Sequence, residues 1–574
     1  MPPQLAPASF AHRPTLAGTR HMVAAGHSLA SQAGFAILEA GGNAFDAGVA
    51  AGLALGVVQS DIVNVAGVAP IIVHLAQTKE TYSVSGLGWF PAALRPSQFQ
   101  EEHGGRIPRG LLRTVIPAAP DAWIQVLERW GTMRFGEVAA AAIRFARDGF
   151  VMHDLMAEVI ASNAGNYAEW PSTASIYLPG GKPPRAGELF VQTELGATLQ
   201  FMADEEQAAA TGGRAAGLAG ARNAFYRGDI AQGIVAFHEQ NGGLLTMQDL
   251  ASYASEVEIP PSVRFGDATV FGCGPWCQGP TLLLMLNMVQ EAGLERLAHN
   301  SPEYIHLLTE LMNLAFADRD AHIADPRFHP VPLDRLLAPA YAKERVACVD
   351  PARAHPGLPE AGLRAAPMHA DTAAGAPAPC LDTSYVCVVD RWGNVFSATP
   401  SDISADTPVI PGTGLCPSSR GSQGWADPRH ASCALPGKRP RLTPNPAFAL
   451  FDDGRTLPFG TPGGDVQAQA MLQVFLNRVV FRMTPQQAVE APRFATYSFA
   501  DSFEPHASYP NRLHVERRIG QPVNDALASR GHEVVDWGDW TWRAGAVCLI
   551  EADPRSGVLL AAADPRRASY ASGW

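Results

Sequence analysis

Between Ala44 and Val58 the chain reads AFDAGVAAGLALGVV, a run whose sole charge is Asp46. Its length and composition predict a helix with almost no polar surface, and such a helix has to be buried, here against a sheet. Its most apolar part, Ala47–Val58, is bracketed by Asp46 and Asp61 and is too short for a membrane span. The segment therefore demands a large core, and the flanking text supplies the elements for one. Ala33, Ile37 and Leu38 mark one face of a preceding helix that Gly41 and Gly42 stop. PIIVHLAQTKETYSVSGLG, which follows, reads as a hairpin. Residues 120–320 look mainly helical, interrupted by FGCGPWCQGPT, and residues 1–20 look like an irregular arm. Strands return at 383–399, in FALFDDG and RTLPFGTPGGD, and in AGAVCLIEADPRSGVLLAAADP. Strands towards both ends with helices between them predict one interleaved α/β unit, not two domains in series.

Composition excludes several function classes. The net charge is −12 and no Lys/Arg run is present, which argues against nucleic acid as a partner. The first residues lack a basic stretch followed by an apolar one, so no secretory signal is read and a cytoplasmic location is expected. Eight cysteines in 574 residues form no disulfide framework. Cys273 and Cys277 have no His or Cys partners at zinc-like spacing and read as buried thiols. HADT and DRDAHIADP bring Asp and His close together, but without a metal-binding pattern. No metal and no organic cofactor are expected.

One junction carries the chemistry. Residues 350–379 form an Ala/Pro/Gly-rich linker that runs directly into the well-patterned strand TSYVCVVD, with Asp382 before Thr383. A threonine hydroxyl is a poor nucleophile unless a base adjoins it, and its own freed α-amine is one such base. That arrangement needs a cut before the threonine, a mobile segment upstream and a rigid strand downstream, and all three are legible here. The alternative is an ordinary β-branched strand residue. Further on, Gly463 and Gly464 lie between the strand ending at Phe459 and the apolar helix VQAQAMLQVFLNRVV, where consecutive N–H groups could converge as in an oxyanion hole.

In this context the chain resembles the γ-glutamyltransferase family of N-terminal-nucleophile hydrolases. HSLASQAGFAILEAGGNAFDAGVAAGLAL, IRFARDGF, NGGLLTMQDLASY and ADRDAHIADP resemble its large-subunit landmarks. DTSYVCVVDRWGNVFSAT, PGKRPRLTPNPAFAL, FGTPGGD, EAPRF and AADPRR resemble its small subunit, in the family's order. The resemblance implies a four-layer α/β/β/α sandwich and self-cleavage between Asp382 and Thr383. Residues 1–382 would form a large subunit ending in the mobile linker, and 383–574 a small one. It also implies a cleaved heterodimer, with a dimer of heterodimers left open. Thr383 would be the nucleophile, Gly463 and Gly464 the oxyanion-hole pair, Ser401 a supporting hydroxyl and Thr443 a substrate contact.

The departures concern the substrate half. Glutathione-acting members hold the donor α-carboxylate with an arginine, whereas GLGWFPAAL at Gly86–Leu94 has none. Leu442 replaces a hydroxyl residue and Ile403 a common asparagine. Arg420 or Arg441 could rebuild a carboxylate clamp, and Trp89, with Trp276, Trp425, Trp540 and Trp542, could line an acyl pocket, although such residues are more often structural. The expected activity is hydrolysis or acyl transfer on a small non-glutathione amide. The alternatives are a genuine γ-glutamyltransferase or glutathione hydrolase, a β-lactam side-chain acylase and, last, a non-catalytic binding homologue.

Overall fold

The structure is a computed structural model that describes residues 11–363 and 383–574. Two seven-stranded sheets form its centre. Sheet I runs Leu16–Gly18, Val558–Ala563, Cys548–Asp553, Thr456–Gly460, Ala447–Phe451, Ala268–Gly272, Ser262–Phe265 from edge to edge. Sheet II runs Tyr570–Gly573, Met22–Ala25, Val386–Val389, Val395–Ala398, Ile71–Leu75, Glu80–Val84, Val257–Glu258. Every neighbouring pair in both sheets is antiparallel. Strands from before residue 364 and after residue 382 are mixed within both sheets. Met22–Ala25, for example, lies between Val386–Val389 and Tyr570–Gly573.

Both faces of each sheet are covered at its centre, so central strands such as Val386–Val389, Val395–Ala398 and Thr456–Gly460 are buried throughout, whereas the edge strand Ser262–Phe265 still alternates. Val386 and Val388 point to a core shared with the helices Ser28–Glu39 and Ala44–Val58. Cys387 and Val389 point the other way and meet Phe448, Cys548 and Ile550 of sheet I. On the far side of sheet I, Ala447, Ala449 and Leu549 face the helices Gly279–Ala292 and Val466–Val479. The twofold side-chain period is thus kept but hidden, since both directions lead into apolar surroundings.

The helix Ala44–Val58 is buried at every residue. Its charge sits where the helix end needs acceptors. Asn43 caps it, Asp46 accepts from the Asn43 and Thr132 N–H groups, and Asp390 Oδ2 of the Val386–Val389/Val395–Ala398 turn accepts the Ala44 N–H at 2.9 Å. Close approach to the sheet depends on Gly48. A Cβ there would lie 2.2 Å from Phe396 Cδ1.

Two sequence expectations need correction. The arm at 1–20 is not irregular throughout, because Leu16–Gly18 is an edge strand held by backbone pairing to Val558–Ala563. So short a strand carries no pattern of its own. A small third sheet, Phe494–Thr496, Arg512–Val515 and Glu533–Asp536, was not anticipated, and its last two strands pair in parallel. No helix among the described residues is long and apolar enough to cross a membrane.

Gly48→Ala should cost about 1–3 kcal/mol, the usual price of overpacking a tight core, and lower Tm in a thermal melt. Gly165→Ala, where a Cβ meets nothing within 4 Å, should leave Tm unchanged or slightly raised. Equal melting of the two variants would show that the contact with Phe396 is not limiting.

Candidate active site

Thr383 enters sheet II just ahead of Val386–Val389 and pairs with Ser401 in an isolated antiparallel bridge. Ser401 is fixed from its other side as well, since its N–H donates to Val68 O at 3.0 Å and its carbonyl accepts from Val68 N at 3.1 Å. The two side chains meet on this frame with Oγ1 and Oγ 2.7 Å apart. Thr383 is 1% exposed and Ser401 fully buried. The Arg420 guanidinium donates to Ser401 Oγ. A guanidinium can only donate, so Ser401 accepts from Arg420, while either hydroxyl can donate in the Thr383–Ser401 contact. Arg420, Ser401 and Thr383 thus form one hydrogen-bonded chain that ends at the Thr383 oxygen.

Asp402 sets the electrostatics beside this chain. Its carboxylate lies 3.8 Å from Arg420 Nε and accepts from the Ser419 N–H at 2.9 Å, the Ser419 hydroxyl at 2.7 Å and the Ser418 hydroxyl. Burial pushes its carboxyl group up, while Arg420 and the serine donors pull it back towards the charged form. Its φ of 156° is a conformation rarely taken by non-glycine residues. Strain of this kind costs on the order of 1–3 kcal/mol and persists only where the surroundings over-determine it. Here four donors pin the side chain.

Gly463 and Gly464 form the turn from Thr456–Gly460 into Val466–Val479, with φ of 123° and 55°. At Gly463 a Cβ would have ordinary space, so backbone conformation is what requires glycine. Among the described residues neither amide N–H donates to an acceptor, whereas both carbonyls are bonded. Gln467, in the first turn of the helix, reaches back with Nε2 3.5 Å from Thr383 Oγ1, a long contact. Gln278 Nε2 donates to Thr443 O at 2.8 Å and to Gly464 O at 3.1 Å. Thr443 Oγ1 accepts from Gln423 at 2.7 Å, and Gln423 belongs to the same short turn as Arg420. Thr383, Ser401, Arg420, Thr443 and Gly464 therefore belong to one connected polar cluster.

Trp89 stands outside it. Its half-buried ring packs on Tyr253 at 4.9 Å, with the Arg327 guanidinium 5.2 Å from its centre. Its neighbour Phe90 lies against the Arg420–Gln423 turn together with the Arg113 backbone, 2.9 Å and 2.2 Å from where a Gly421 Cβ would be. Arg441 is bound to Asp320 at 3.1 Å and to Arg319 O at 3.2 Å, and burial and the Arg319 charge lower its pKa to about 10. Arg319 in turn holds Asp465, directly after the glycine pair. His27 caps the helix Ser28–Glu39 by accepting the Leu29 N–H, a structural role. Asp382 lies outside the described residues. Sequence reasoning missed Asp402, Gln278, Gln423 and Gln467. Polar glutamines at 467, 469 and 473 in an otherwise apolar helix were the available signal, and all three are buried and bonded.

The γ-glutamyltranspeptidase family model matches residues 30–574. The glutathione hydrolase-like YwrD proenzyme of Bacillus subtilis is 31% identical over 97% of this chain and 99% of its own length. The acylase ACY 1 proenzyme of Pseudomonas sp. (strain SE83) is 32% identical over 90% and 88%. The crystal structure of a cephalosporin acylase from Bacillus halodurans superposes with a TM-score of 0.85 at 28% identity, covering 100% of this chain and 99% of that one.

Ser401→Ala should lower kcat for amide turnover about 10- to 100-fold, the value of a charge-assisted hydrogen bond of about 1.5–3 kcal/mol, with little change in KM. Ser401→Thr, which keeps the hydroxyl, should retain most of the rate. Steady-state kinetics on the folded variants checks this, and an undiminished kcat in Ser401→Ala would exclude the hydrogen-bonded chain from the reaction.

Proposed function

The chain belongs to the γ-glutamyltranspeptidase family, and from that premise we propose that it is a self-processing amide hydrolase or acyltransferase with Thr383 as its N-terminal nucleophile. The observation that carries the reading is the 2.7 Å contact between the Thr383 and Ser401 hydroxyls, buried and backed by Arg420. In this reading the chain cuts itself between Asp382 and Thr383, giving subunits of residues 1–382 and 383–574. The freed α-amine takes the Thr383 hydroxyl proton as Oγ1 attacks the amide carbonyl. Ser401 steadies the oxygen before and after attack, and the Gly463 and Gly464 N–H groups receive the tetrahedral oxyanion. Collapse expels the amine and leaves an acyl-enzyme, which water or an acceptor amine resolves. The fold proposed is the α/β/β/α sandwich of N-terminal-nucleophile hydrolases, a reading supported by two antiparallel sheets with helices on their outer faces, and the location proposed is cytoplasmic. The chemistry requires no metal or organic cofactor.

The substrate reading is a small amide other than glutathione. Arg420 is engaged by Asp402 and Ser401, and Arg441 by Asp320, so both candidate clamps already serve internal partners. Leu442 and Ile403 present apolar side chains next to Thr443 and Asp402. A donor α-carboxylate buried without a guanidinium forgoes about 1.5–3 kcal/mol. A second reading, a β-lactam side-chain acylase, is favoured by the full-length similarity to the cephalosporin acylase structure.

On a denaturing gel the purified protein should run as two fragments in roughly a two-to-one mass ratio, given cleavage before Thr383. The smaller should begin Thr-Ser-Tyr-Val on N-terminal sequencing. Thr383→Ala should remain intact and inactive, and a full-length band in active protein would overturn the mechanism. Across a panel of a γ-glutamyl anilide, simple acyl amides, dicarboxylic monoamides and a cephalosporin, the γ-glutamyl donor should not lead in kcat/KM. A γ-glutamyl preference above about tenfold, ~1.4 kcal/mol in transition-state binding, together with acceleration by a dipeptide acceptor, would instead establish a γ-glutamyltransferase.

A further inference from the structure

Away from Thr383, three potential ligands from distant parts of the sequence converge in the interior. His306 and Glu310 lie one turn apart on the helix Pro302–His322, and His532 immediately precedes the strand Glu533–Asp536. Their exposures are 1%, 5% and 5%, and one ligand atom from each lies within 4.8 Å of the others. His306 Nδ1 and His532 Nε2 are 2.8 Å apart. His306 Nε2 is 2.8 Å from the Asp350 carbonyl. A carbonyl only accepts, so Nε2 carries the proton and the Nδ1 lone pair faces His532. Backbone carbonyls orient metal-binding imidazoles in this way.

The carboxylate supplies the second observation. Glu310 Oε2 accepts the His355 N–H at 3.0 Å, whereas the buried Oε1 makes no hydrogen bond of good geometry, with the Asn313 side chain the other donor beside the carboxylate. Such an atom is costly in a protein interior. Arg530, the nearby cation, is paired with Glu303 at 2.5 Å.

We propose that His306 Nδ1, His532 Nε2 and a Glu310 carboxylate oxygen form a binding site for one divalent first-row transition ion of the zinc class. Two imidazoles and one carboxylate suit such an ion better than calcium or magnesium, which prefer all-oxygen shells. Zinc–nitrogen bonds of about 2.0–2.1 Å in a tetrahedron place two nitrogens roughly 3.3 Å apart. The imidazoles would thus separate by a fraction of an ångström, and the ion would replace their mutual hydrogen bond and fill the unmet valence of Oε1. The ion would tie together residues 226 positions apart, in a region where Ala354 N also donates to Arg530 O. Its role would be structural and independent of the amide chemistry at Thr383.

The full-length protein should be produced in zinc- and in cobalt-supplemented cultures, so that the ion is present while the buried site forms. Metal analysis should find close to one ion per chain, and the cobalt form should show visible d–d absorption of an imidazole-bound ion. Glu310→Gln and His532→Gln should each weaken retention at least tenfold against a competing chelator and abolish the cobalt spectrum, while Cys348→Ser, at an exposed thiol, should do neither. Folded wild-type protein from both cultures with no stoichiometric metal and no cobalt spectrum would overturn the proposal. So would bound metal indifferent to both substitutions. If the variants fail to fold, the metal content and spectrum of the wild-type protein decide.

Discussion

The apolar seam between the two sheets is the constraint on which the rest of the structure depends. Met22, Ala24, Ile72, Cys387, Val389, Val395, Phe448, Cys548 and Ile550 meet there, drawn from both ends of the chain. Burying a large aliphatic or aromatic side chain stabilises by about 1.5–3 kcal/mol, so the seam can hold polar groups at its end that would otherwise be expensive. Val68, Leu87, Cys277 and Leu442 belong to the same cluster. Val68 bridges Ser401, and Leu442 bridges Cys277 next to Gln278 and Thr443. The polar cluster at Thr383 thus grows directly out of the hydrophobic one. Its side chains are buried, and hydrogen bonds in such surroundings are stronger than in bulk water.

Much of this was legible in the sequence, for identifiable reasons. The helix Ala44–Val58 was readable because its composition leaves no polar face, and the strand Val386–Val389 because its apolar pattern opens soon after a low-complexity stretch, whereas the role expected of Thr383 rested on the family resemblance. The Gly463–Gly464 turn was readable because paired glycines separate a strand from an apolar helix. Other features left no periodic trace. Leu16–Gly18 is held by backbone pairing alone. Asp402 gains its position through serines sixteen and seventeen residues away, and the glutamines act through contacts the sequence does not order. His306, Glu310 and His532 show the same blindness more sharply, since only the fold makes them neighbours. Arg420, weighed as a substrate clamp, donates to Ser401 and lies 3.8 Å from Asp402, contacts that its position in the sequence does not reveal.

Around Thr383, the side chains of Asp402, Gln278, Gln423 and Gln467 all have hydrogen-bond partners, and such a network stiffens the site. The Glu310 carboxylate differs in that two imidazoles from distant parts of the sequence converge on it.

The mixing of early and late strands has a consequence for a chain that is cut. Sheet II places Met22–Ala25 between Val386–Val389 and Tyr570–Gly573, and sheet I places Leu16–Gly18 beside Val558–Ala563. A break between residues 363 and 383 would remove one covalent link and none of these ladders. The two pieces share both sheets and the seam between them, so neither has a core of its own to retreat to. Their dissociation is therefore the same event as global unfolding, and dilution, which separates ordinary subunits, has no purchase on it.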